Sequence, residues 1–153
     1  MSELTHLNEK GEARMVDVTG KEIQIRVAVA CGEIRMQADT IAKIQSDQVA
    51  KGNVLATARI AAICAAKKTG HLIPLCHPLP ISHCEVLFDF PNSRDRILIQ
   101  ASTKIAAQTG VEMEALMAVS IAALTIYDMC KAVDKSMVVS EVRLIKKTKS
   151  AYA

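Results

Sequence analysis

Asp128 and Lys131 are the residues whose types and spacing most directly suggest acid–base chemistry. They are three positions apart, so they share one face if the segment is helical, and they directly follow the uncharged apolar stretch 115–127. An ion pair at an exposed helix end also explains them, because the helix dipole favours a lysine near the C-terminus. In a cleft, burial would instead tune the pKa values of both groups for proton transfer. The residues alone leave both interpretations open.

Two carboxylates, Glu112 and Glu114, stand at the start of the same apolar segment. Two positions apart on a helix, they point to nearly opposite sides. Thr109 and Glu112 have the spacing of a capping box, so Glu112 is either a helix cap or a site residue. Glu114 has no capping role and is the better candidate. The free N–H groups at the start of a helix would also suit an anion.

A lysine and a histidine add to this set. Lys51 precedes Gly52 and Asn53, which suits a phosphate beside a helix start, although such a lysine is usually just solvated. His77 follows Cys76 in a loop stiffened by prolines and is either a substrate-binding residue or part of a plain surface loop. The histidines and cysteines of this region match no usual zinc spacing, so we predict no metal site; they are His71, Cys76, His77, His83 and Cys84.

The composition favours a single, oligomeric domain. The chain has 153 residues, of which 50% are hydrophobic, and its mean hydropathy is +0.21. A compact monomer hides less apolar surface than this, so we expect a large subunit interface. A net charge of +3 and an aromatic content of 3% without Trp argue against nucleic acid as a partner.

Cysteine usage and the apolar stretches predict the compartment. The five cysteines form no C-x-x-C pair, which indicates a reducing environment. The N-terminal residues have no signal-peptide pattern, and the longest uncharged apolar stretch is shorter than the about 20 residues that span a bilayer. We therefore expect a cytoplasmic protein without a membrane partner.

The apolar pattern predicts seven elements in the order β-α-α-β-β-α-β. Alternation from Ile23 predicts the first strand, and we interpret its change of parity after Gly32 as a β-bulge. Asp39 is the expected N-cap of a short helix. Asn53 is the expected cap of a second helix, with Gly70 at its C′ position.

The second half of the chain reads as a hairpin, a helix and a strand. The hairpin covers 84–101 around a turn at 91–95. A long helix at 109–132 is apolar on nearly every side, which predicts burial all round, partly by a second subunit. The final strand covers 137–145. We divide the chain into a flexible arm, a single catalytic domain and a short tail, at 1–22, 23–147 and 148–153.

This element order predicts an α+β fold of the ferredoxin-like type. If the two first helices count as one crossover, the order is βαββαβ. Right-handed crossovers then give a four-stranded antiparallel sheet with the helices on one face. The bare face needs a cover, in agreement with an oligomer.

Five segments, in order and at unshifted spacing, resemble the cyclic pyranopterin monophosphate synthases, the C proteins of molybdenum cofactor biosynthesis (MoaC). The segments are 15–18, 51–54 with 56–60, 72–78, 109–116 and 122–133. The likeness runs from about residue 4 to residue 147. It covers nearly the whole chain, and the combination of motifs is highly specific.

The resemblance implies a lyase reaction. Its substrate is (8S)-3′,8-cyclo-7,8-dihydroguanosine 5′-triphosphate, which a radical SAM GTP cyclase supplies, and its products are cyclic pyranopterin monophosphate and pyrophosphate. Such a rearrangement needs proton transfer at several atoms and positive charge at a triphosphate. The family likeness also implies a homo-hexamer, a trimer of dimers with sites between subunits. It implies no cofactor, and a requirement for Mg²⁺ with the triphosphate stays open.

The resemblance also implies roles for individual residues. Asp128 would be the general acid or base, while Lys131 and Lys51 would assist the ring chemistry and hold phosphate charge. The implied substrate-binding residues are Leu75, Cys76, His77, Met113 and Glu114, with Glu112 keeping its capping alternative and Arg26 and Lys67 as further phosphate ligands.

Two alternatives from other classes share this topology. A non-catalytic nucleotide-sensing module would need pocket cations but not an Asp128–Lys131 pair on one helix face. An RNA-binding domain would present aromatic side chains on its sheet, and the strand at 96–102 has none.

Overall fold

The computed structural model describes residues 5–152 and contains three helices and four strands in this part of the chain. The order is β1 (Gln24–Arg35), α1 (Ala38–Gln45), α2 (Val54–Leu72), β2 (His83–Asp89), β3 (Arg96–Ala107), α3 (Glu112–Cys130) and β4 (Val138–Ala151). The strands form one antiparallel sheet in the order β2-β3-β1-β4, and the helices pack on one of its faces. The predicted ferredoxin-like α+β fold is confirmed.

The residues of β1 that face the helices form part of the hydrophobic core. Ala28, Ala30 and Ile34 are fully buried on the helix side, and a Cβ at Gly32 would lie 2.7 Å from a methyl group of Val119 in α3. Glycine at this position therefore lets α3 approach the sheet closely.

The irregularity predicted at Gly32 is present, but only in the pairing of β1 with β4, where the extra residue belongs to β4 instead of β1. β1 and β3 pair without a register shift from Gln24 to Arg35, and the irregularities lie where β1 pairs with β4, at Val29/Ala30 and Cys31/Glu33. The parity change in the sequence arises because the core side of the strand carries alanines and the opposite side carries valines, which reverses the apparent apolar face.

The other face of the sheet lies open in the single chain. Leu87 and Leu98 are 48% and 37% exposed there, beside the half-buried Val27 and Val29 of β1. No segment among residues 5–152 covers these apolar side chains, and the expected subunit interface stays a prediction.

The start of α1 is capped from a distance. The predicted cap, Asp39, lies inside the first turn, because the helix begins at Ala38. Asp134, 1% exposed, accepts hydrogen bonds from the Gln37 amide at 2.8 Å and from the Thr40 hydroxyl at 2.9 Å. A buried carboxylate that follows α3 in the sequence thus replaces the local cap.

The predicted cap at the start of α2 is confirmed, and the prediction for the end of the helix was wrong. The Asn53 side chain accepts a hydrogen bond from the Ala56 amide at 2.8 Å. The helix continues past Gly70 to Leu72, so the predicted C′ role of that glycine was wrong. A Cβ at Gly70 would lie 2.7 Å from Cα of Pro78 and 2.9 Å from the carbonyl oxygen of His77. Glycine is needed at this position because the loop after α2 crosses the helix.

Helix α3 begins later than predicted and keeps an exposed side. Its N-cap is Val111, which has no capping oxygen, so the expected capping box of Thr109 and Glu112 does not form. Leu124 is 54% exposed, so the helix is not buried all round in the single chain. By length and composition α3 could cross a membrane, but half of its most apolar stretch is buried in this fold, where it packs on β1 and α2.

The last strand is longer than the sequence pattern suggests. β4 continues beyond the predicted end at Ile145 to Ala151. Alternation fails there because this edge strand is exposed along most of its length and is rich in lysine. The division of the chain into arm, domain and tail stays a prediction, with residues 148–151 of the proposed tail lying in β4.

Candidate active site

The end of α3 brings together three of the predicted residues, Lys51, Asp128 and Lys131, which we call the lysine–aspartate cluster. The Asp128 carboxylate lies 2.8 Å from Nζ of Lys131 and 3.1 Å from Nζ of Lys51. Lys51 also donates a hydrogen bond to the main-chain oxygen of Asp128 at 3.0 Å. Residues 77 positions apart in the sequence therefore form one charged group.

Lys51 owes its position to the loop between α1 and α2. Asp47 and Gly52 adopt positive φ angles of 55° and 98°. The Asn53 side chain donates a hydrogen bond to Asp47 at 2.9 Å while it caps α2. These contacts fold the loop back so that Lys51 reaches the end of α3.

Charge rather than burial sets the pKa values in this cluster. Hydrogen bonds from Lys131 and then Lys51 hold the pKa of Asp128 below its usual value, and the hydrogen bond with Asp128 raises the pKa of Lys131. The side chains of Lys51, Asp128 and Lys131 are 48%, 58% and 56% exposed. At neutral pH the cluster therefore presents a carboxylate that can accept a proton between two ammonium groups that can bind an anion.

A second group of predicted residues lies at the other end of α3, around a cavity of about 440 Å³ that we call the α3-start pocket. The predicted residues that line it are Leu75, Cys76, His77, Glu112, Met113 and Glu114. The segment before β1 closes one side with Val16, Val18 and Lys21. Three distant parts of the chain thus enclose the pocket.

His77 is fixed by the segment before β1. Its Nε2 lies 2.8 Å from the carbonyl oxygen of Val16. Because a carbonyl only accepts, Nε2 carries the hydrogen in this contact. The crossing of this loop over Gly70 sets the position of the His77 backbone. The histidine is therefore oriented from both sides.

Glu114 is the buried carboxyl of the pocket, with 3% exposure. Burial raises its pKa, a backbone hydrogen bond opposes this shift, and the charge of Glu112 adds to it. Burial and the nearby Glu114 also raise the pKa of Cys76, which therefore stays a thiol rather than a nucleophilic thiolate. The pocket thus offers a carboxyl that keeps its proton to a higher pH than a solvated one.

Arg26 and Lys67, the remaining predicted phosphate ligands, lie outside both groups. Arg26 donates a hydrogen bond to the carbonyl oxygen of Gln108 at 3.2 Å, and its buried Nε has no partner among residues 5–152. Lys67 is exposed on α2. The structure of the single chain gives neither residue a contact with the pocket or with the cluster.

Sequence reasoning missed Lys147 and Lys21. Lys147 forms an ion pair with Glu112 at the α3-start pocket, and Lys21 lines the pocket itself. Both stand in polar segments whose lysines look alike in the sequence, so only the pairing of β4 with β1 distinguishes Lys147 from its neighbours.

Two observations bear on other kinds of site. Among residues 5–152, no group of three or more His, Cys, Asp or Glu side chains is arranged to hold a metal ion.

A cavity larger than the α3-start pocket, of about 780 Å³, lies on the open face of the sheet. Its buried acid, Glu33, is already paired with Arg35 and Arg96, each at 3.0 Å, and the predicted site residues lie elsewhere.

The lysine–aspartate cluster and the α3-start pocket are separated along one helix. Glu114 and Asp128 are fourteen positions apart, which corresponds to about 21 Å at 1.5 Å per residue. One chain therefore does not bring the buried carboxyl of Glu114 to the ionised carboxylate of Asp128.

Comparison with known proteins decides the family. The family model described as "MoaC family" matches residues 15–150, which include both groups of site residues. The chain belongs to the MoaC family. The resemblance found in the sequence motifs is thereby confirmed.

Relatives in this family are similar over nearly their whole length. A protein of Desulfitobacterium hafniense is 55% identical over 95% of this chain and 89% of its own length. A protein of Thermoanaerobacter sp. is 53% identical over 95% of this chain and 92% of its own length, and one of Roseiflexus sp. is 52% identical over 97% and 94%. All three are named cyclic pyranopterin monophosphate synthase.

Proposed function

We propose that this chain is a cyclic pyranopterin monophosphate synthase of molybdenum cofactor biosynthesis. It would convert (8S)-3′,8-cyclo-7,8-dihydroguanosine 5′-triphosphate to cyclic pyranopterin monophosphate and pyrophosphate, as a lyase. The observation that carries the proposal is the pair of complementary groups on α3. One is an ionised Asp128 between two lysines, and the other is the buried Glu114, whose pKa is raised.

These groups match what the reaction requires. Opening and rebuilding the guanine-derived ring needs a base and an acid at different atoms. Asp128 would act as the base because it is ionised at neutral pH, where hydrogen bonds from Lys131 and Lys51 hold its pKa below the usual value. Glu114 would be the proton donor because burial raises its pKa above that of a solvated carboxyl. Formation of the cyclic phosphate requires a sugar hydroxyl to lose its proton and attack phosphorus while pyrophosphate leaves, and the two ammonium groups would stabilise that negative charge.

We further propose that the complete site forms between two copies of the chain. Because the two groups lie at opposite ends of α3, a second copy running antiparallel to the first would bring its lysine–aspartate cluster to the α3-start pocket. The exposed apolar side of α3 at Leu124 offers a surface for such a pairing. The open sheet face would supply a second interface, which together would give the hexamer, a trimer of dimers. Arg26 and Lys67 would bind phosphate only in that assembly.

The remaining proposals concern the compartment of the protein, the source of its substrate and its need for metal ions. The protein would act in the cytoplasm on the product of a radical SAM GTP cyclase. It would carry no resident cofactor, and Mg²⁺ would enter only with the triphosphate. Two carboxylates of the proposed site, Asp128 and Glu112, are already paired with lysines. Turnover that survives removal of free metal by EDTA would agree with this, and a complete and Mg²⁺-reversible loss would contradict it.

Anaerobic incubation of the purified chain with the cyclised dihydro-GTP tests the activity. We expect pterin product and pyrophosphate in equal amounts. Tight binding without turnover would instead favour a nucleotide-sensing module. Absence of both binding and turnover would contradict the proposed substrate.

A further inference from the structure

Lys147 reaches the α3-start pocket from the edge of the sheet. In β4 it pairs with Ala28, whose side chain is buried on the helix side. Lys147 lies on the same side, where its Nζ forms an ion pair with the Glu112 carboxylate. The lysine is 56% exposed and Glu112 is 23% exposed. The ion pair therefore stands at the rim of the pocket and is partly shielded from water.

The Glu112 side chain folds back over Gly110. A Cβ at residue 110 would fall on the carboxylate of Glu112, so this carboxylate occupies space that any other residue type would fill. The backbone of Gly110 does not require glycine for its φ angle. Its missing side chain leaves room for Glu112, and Lys147 supplies the opposite charge there.

The position of Glu112 matters because of what the pocket would receive. Two carboxyl groups, Glu112 and Glu114, line a pocket proposed to take a polyanion. An unpaired carboxylate at the rim would repel a triphosphate over several ångströms. A carboxylate that is paired and turned over Gly110 would not.

We propose that Lys147 is a positioning residue for the proposed reaction, holding the Glu112 carboxylate over Gly110 and neutralising it so that the pocket accepts an anionic substrate. The proposal rests on the proposed function. Lys147 acts through Glu112 and does not itself contact the substrate. Its removal therefore harms substrate binding only while Glu112 carries its charge.

A double-mutant cycle tests this dependence. We expect Lys147→Met to raise KM about tenfold with kcat changed less than about twofold. In the Glu112→Gln background the same substitution should change KM less than about twofold. Lys147→Arg should restore KM. Lys146→Met is the matched control, because Lys146 directly precedes Lys147 in β4 and its side chain lies on the opposite face of the sheet. Single-turnover measurements with excess enzyme keep slow variants measurable.

Three kinetic results would overturn the proposal. An equal rise in KM in both backgrounds would mean that Lys147 contacts the substrate directly. An unchanged KM in Lys147→Met would mean that the ion pair is not needed, and failure of Lys147→Arg to restore KM would exclude a charge-pairing role. Should Lys147→Met fail to fold, Gly110→Ala displaces Glu112 without altering the lysine and should give the same Glu112-dependent rise.

Crystal structures of the wild type and Lys147→Met provide a second readout that does not depend on the reaction. The Glu112 carboxylate should leave Gly110 in the variant and stay there in Lys147→Arg. A carboxylate that remains over Gly110 without the lysine would overturn the positioning role. Absence of turnover by the wild type itself would contradict the proposed function alone, because the structures would still test the ion pair.

Discussion

Lys51 binds Asp128 twice, with its Nζ 3.1 Å from the carboxylate and 3.0 Å from the main-chain oxygen of the same residue. A single ammonium group thus joins the loop before α2 to the end of α3. The double contact fixes the direction of the lysine as well as its distance. The Asp128 carboxylate is held between Lys51 and Lys131 in a geometry that requires both the loop before α2 and the end of α3.

Removal of the side chain of Lys51 or of Asp128 should abolish turnover and leave the fold intact. We expect Lys51→Ala and Asp128→Ala each to lower kcat/KM at least about 100-fold, because each removes a proton acceptor or a charge that stabilises the transition state. The exposed position of both side chains predicts little change in unfolding by urea. Lys135→Ala, an exposed lysine after α3, is the control. A variant with near wild-type kcat/KM would remove that residue from the proposed machinery.

Glu114→Gln should stabilise the protein at alkaline pH while it abolishes activity. The pKa of Glu114 is raised in the folded state, so the unfolded chain gives up this proton at a lower pH than the folded one. The wild type therefore loses stability as the pH rises from the unfolded pKa through the raised folded pKa, and glutamine removes that loss.

Urea unfolding at pH 4 and pH 8 measures this effect of Glu114→Gln. The difference in the free energy of unfolding between variant and wild type should be more favourable to the variant at pH 8 than at pH 4. Glu85→Gln, an exposed carboxyl in β2, is the control and should show no such trend. A variant that is less stable at pH 8 than at pH 4, relative to wild type, would contradict the raised pKa.

Asp134→Asn should have the opposite dependence on pH. Burial tends to raise the pKa of Asp134, but hydrogen bonds from the Gln37 amide, Ser136 and Thr40 outweigh it and lower the pKa to about 2. The carboxylate therefore stabilises the fold above the unfolded pKa, by about 2 kcal/mol, and this contribution disappears as the pH falls towards 2.

Urea unfolding at pH 7 and at about pH 2 tests the role of Asp134. The variant should be less stable by about 2 kcal/mol at pH 7 and nearly equal to wild type at the lower pH. Asp39→Asn, an exposed carboxyl in the first turn of the same helix, is the matched control. An equal loss of stability at both pH values would point to packing rather than charge.

Gly70→Ala should displace the loop that carries His77 and so disturb the α3-start pocket. The added Cβ would lie within 3 Å of backbone atoms of the loop that carries His77, and backbone yields less easily than a side chain. We expect a loss of about 1–3 kcal/mol in the free energy of unfolding, with a higher KM. Gly20→Ala is the control, because a Cβ there meets nothing within 4 Å. An unchanged KM in a destabilised Gly70→Ala variant would separate the loop from substrate binding.

Local sequence patterns predicted the elements and their order because each element is defined by residues that are close together in the chain. The hairpin between β2 and β3 and the Asn53 cap follow from residues close together in the chain. The errors fall where distant residues compete with local ones. The cap of α1 is Asp134 instead of Asp39, and Asp134 is 94 positions away from Thr40 in the sequence. Gly70 does not end α2 but leaves room for the loop that crosses the helix.

The candidate site was predicted residue by residue but not as an arrangement. Asp128 and Lys131 are visible as a pair because helical spacing joins them. The contact of Lys51 with Asp128 depends on how α2 packs against α3, which no local pattern encodes. The partner of Glu112 was missed for the same reason, since Lys147 arrives through the register of β4 against β1.

The position of Glu114 and Asp128 at opposite ends of one helix has a genetic consequence. If two antiparallel copies build each site, a pair made of one Glu114→Gln chain and one Asp128→Ala chain contains one site with both defects and one with neither. Two inactive proteins, unfolded together and refolded as a mixture, would then regain part of the wild-type activity. The two alleles would complement each other in one cell, whereas Lys51→Ala and Asp128→Ala, which damage the same cluster, would not.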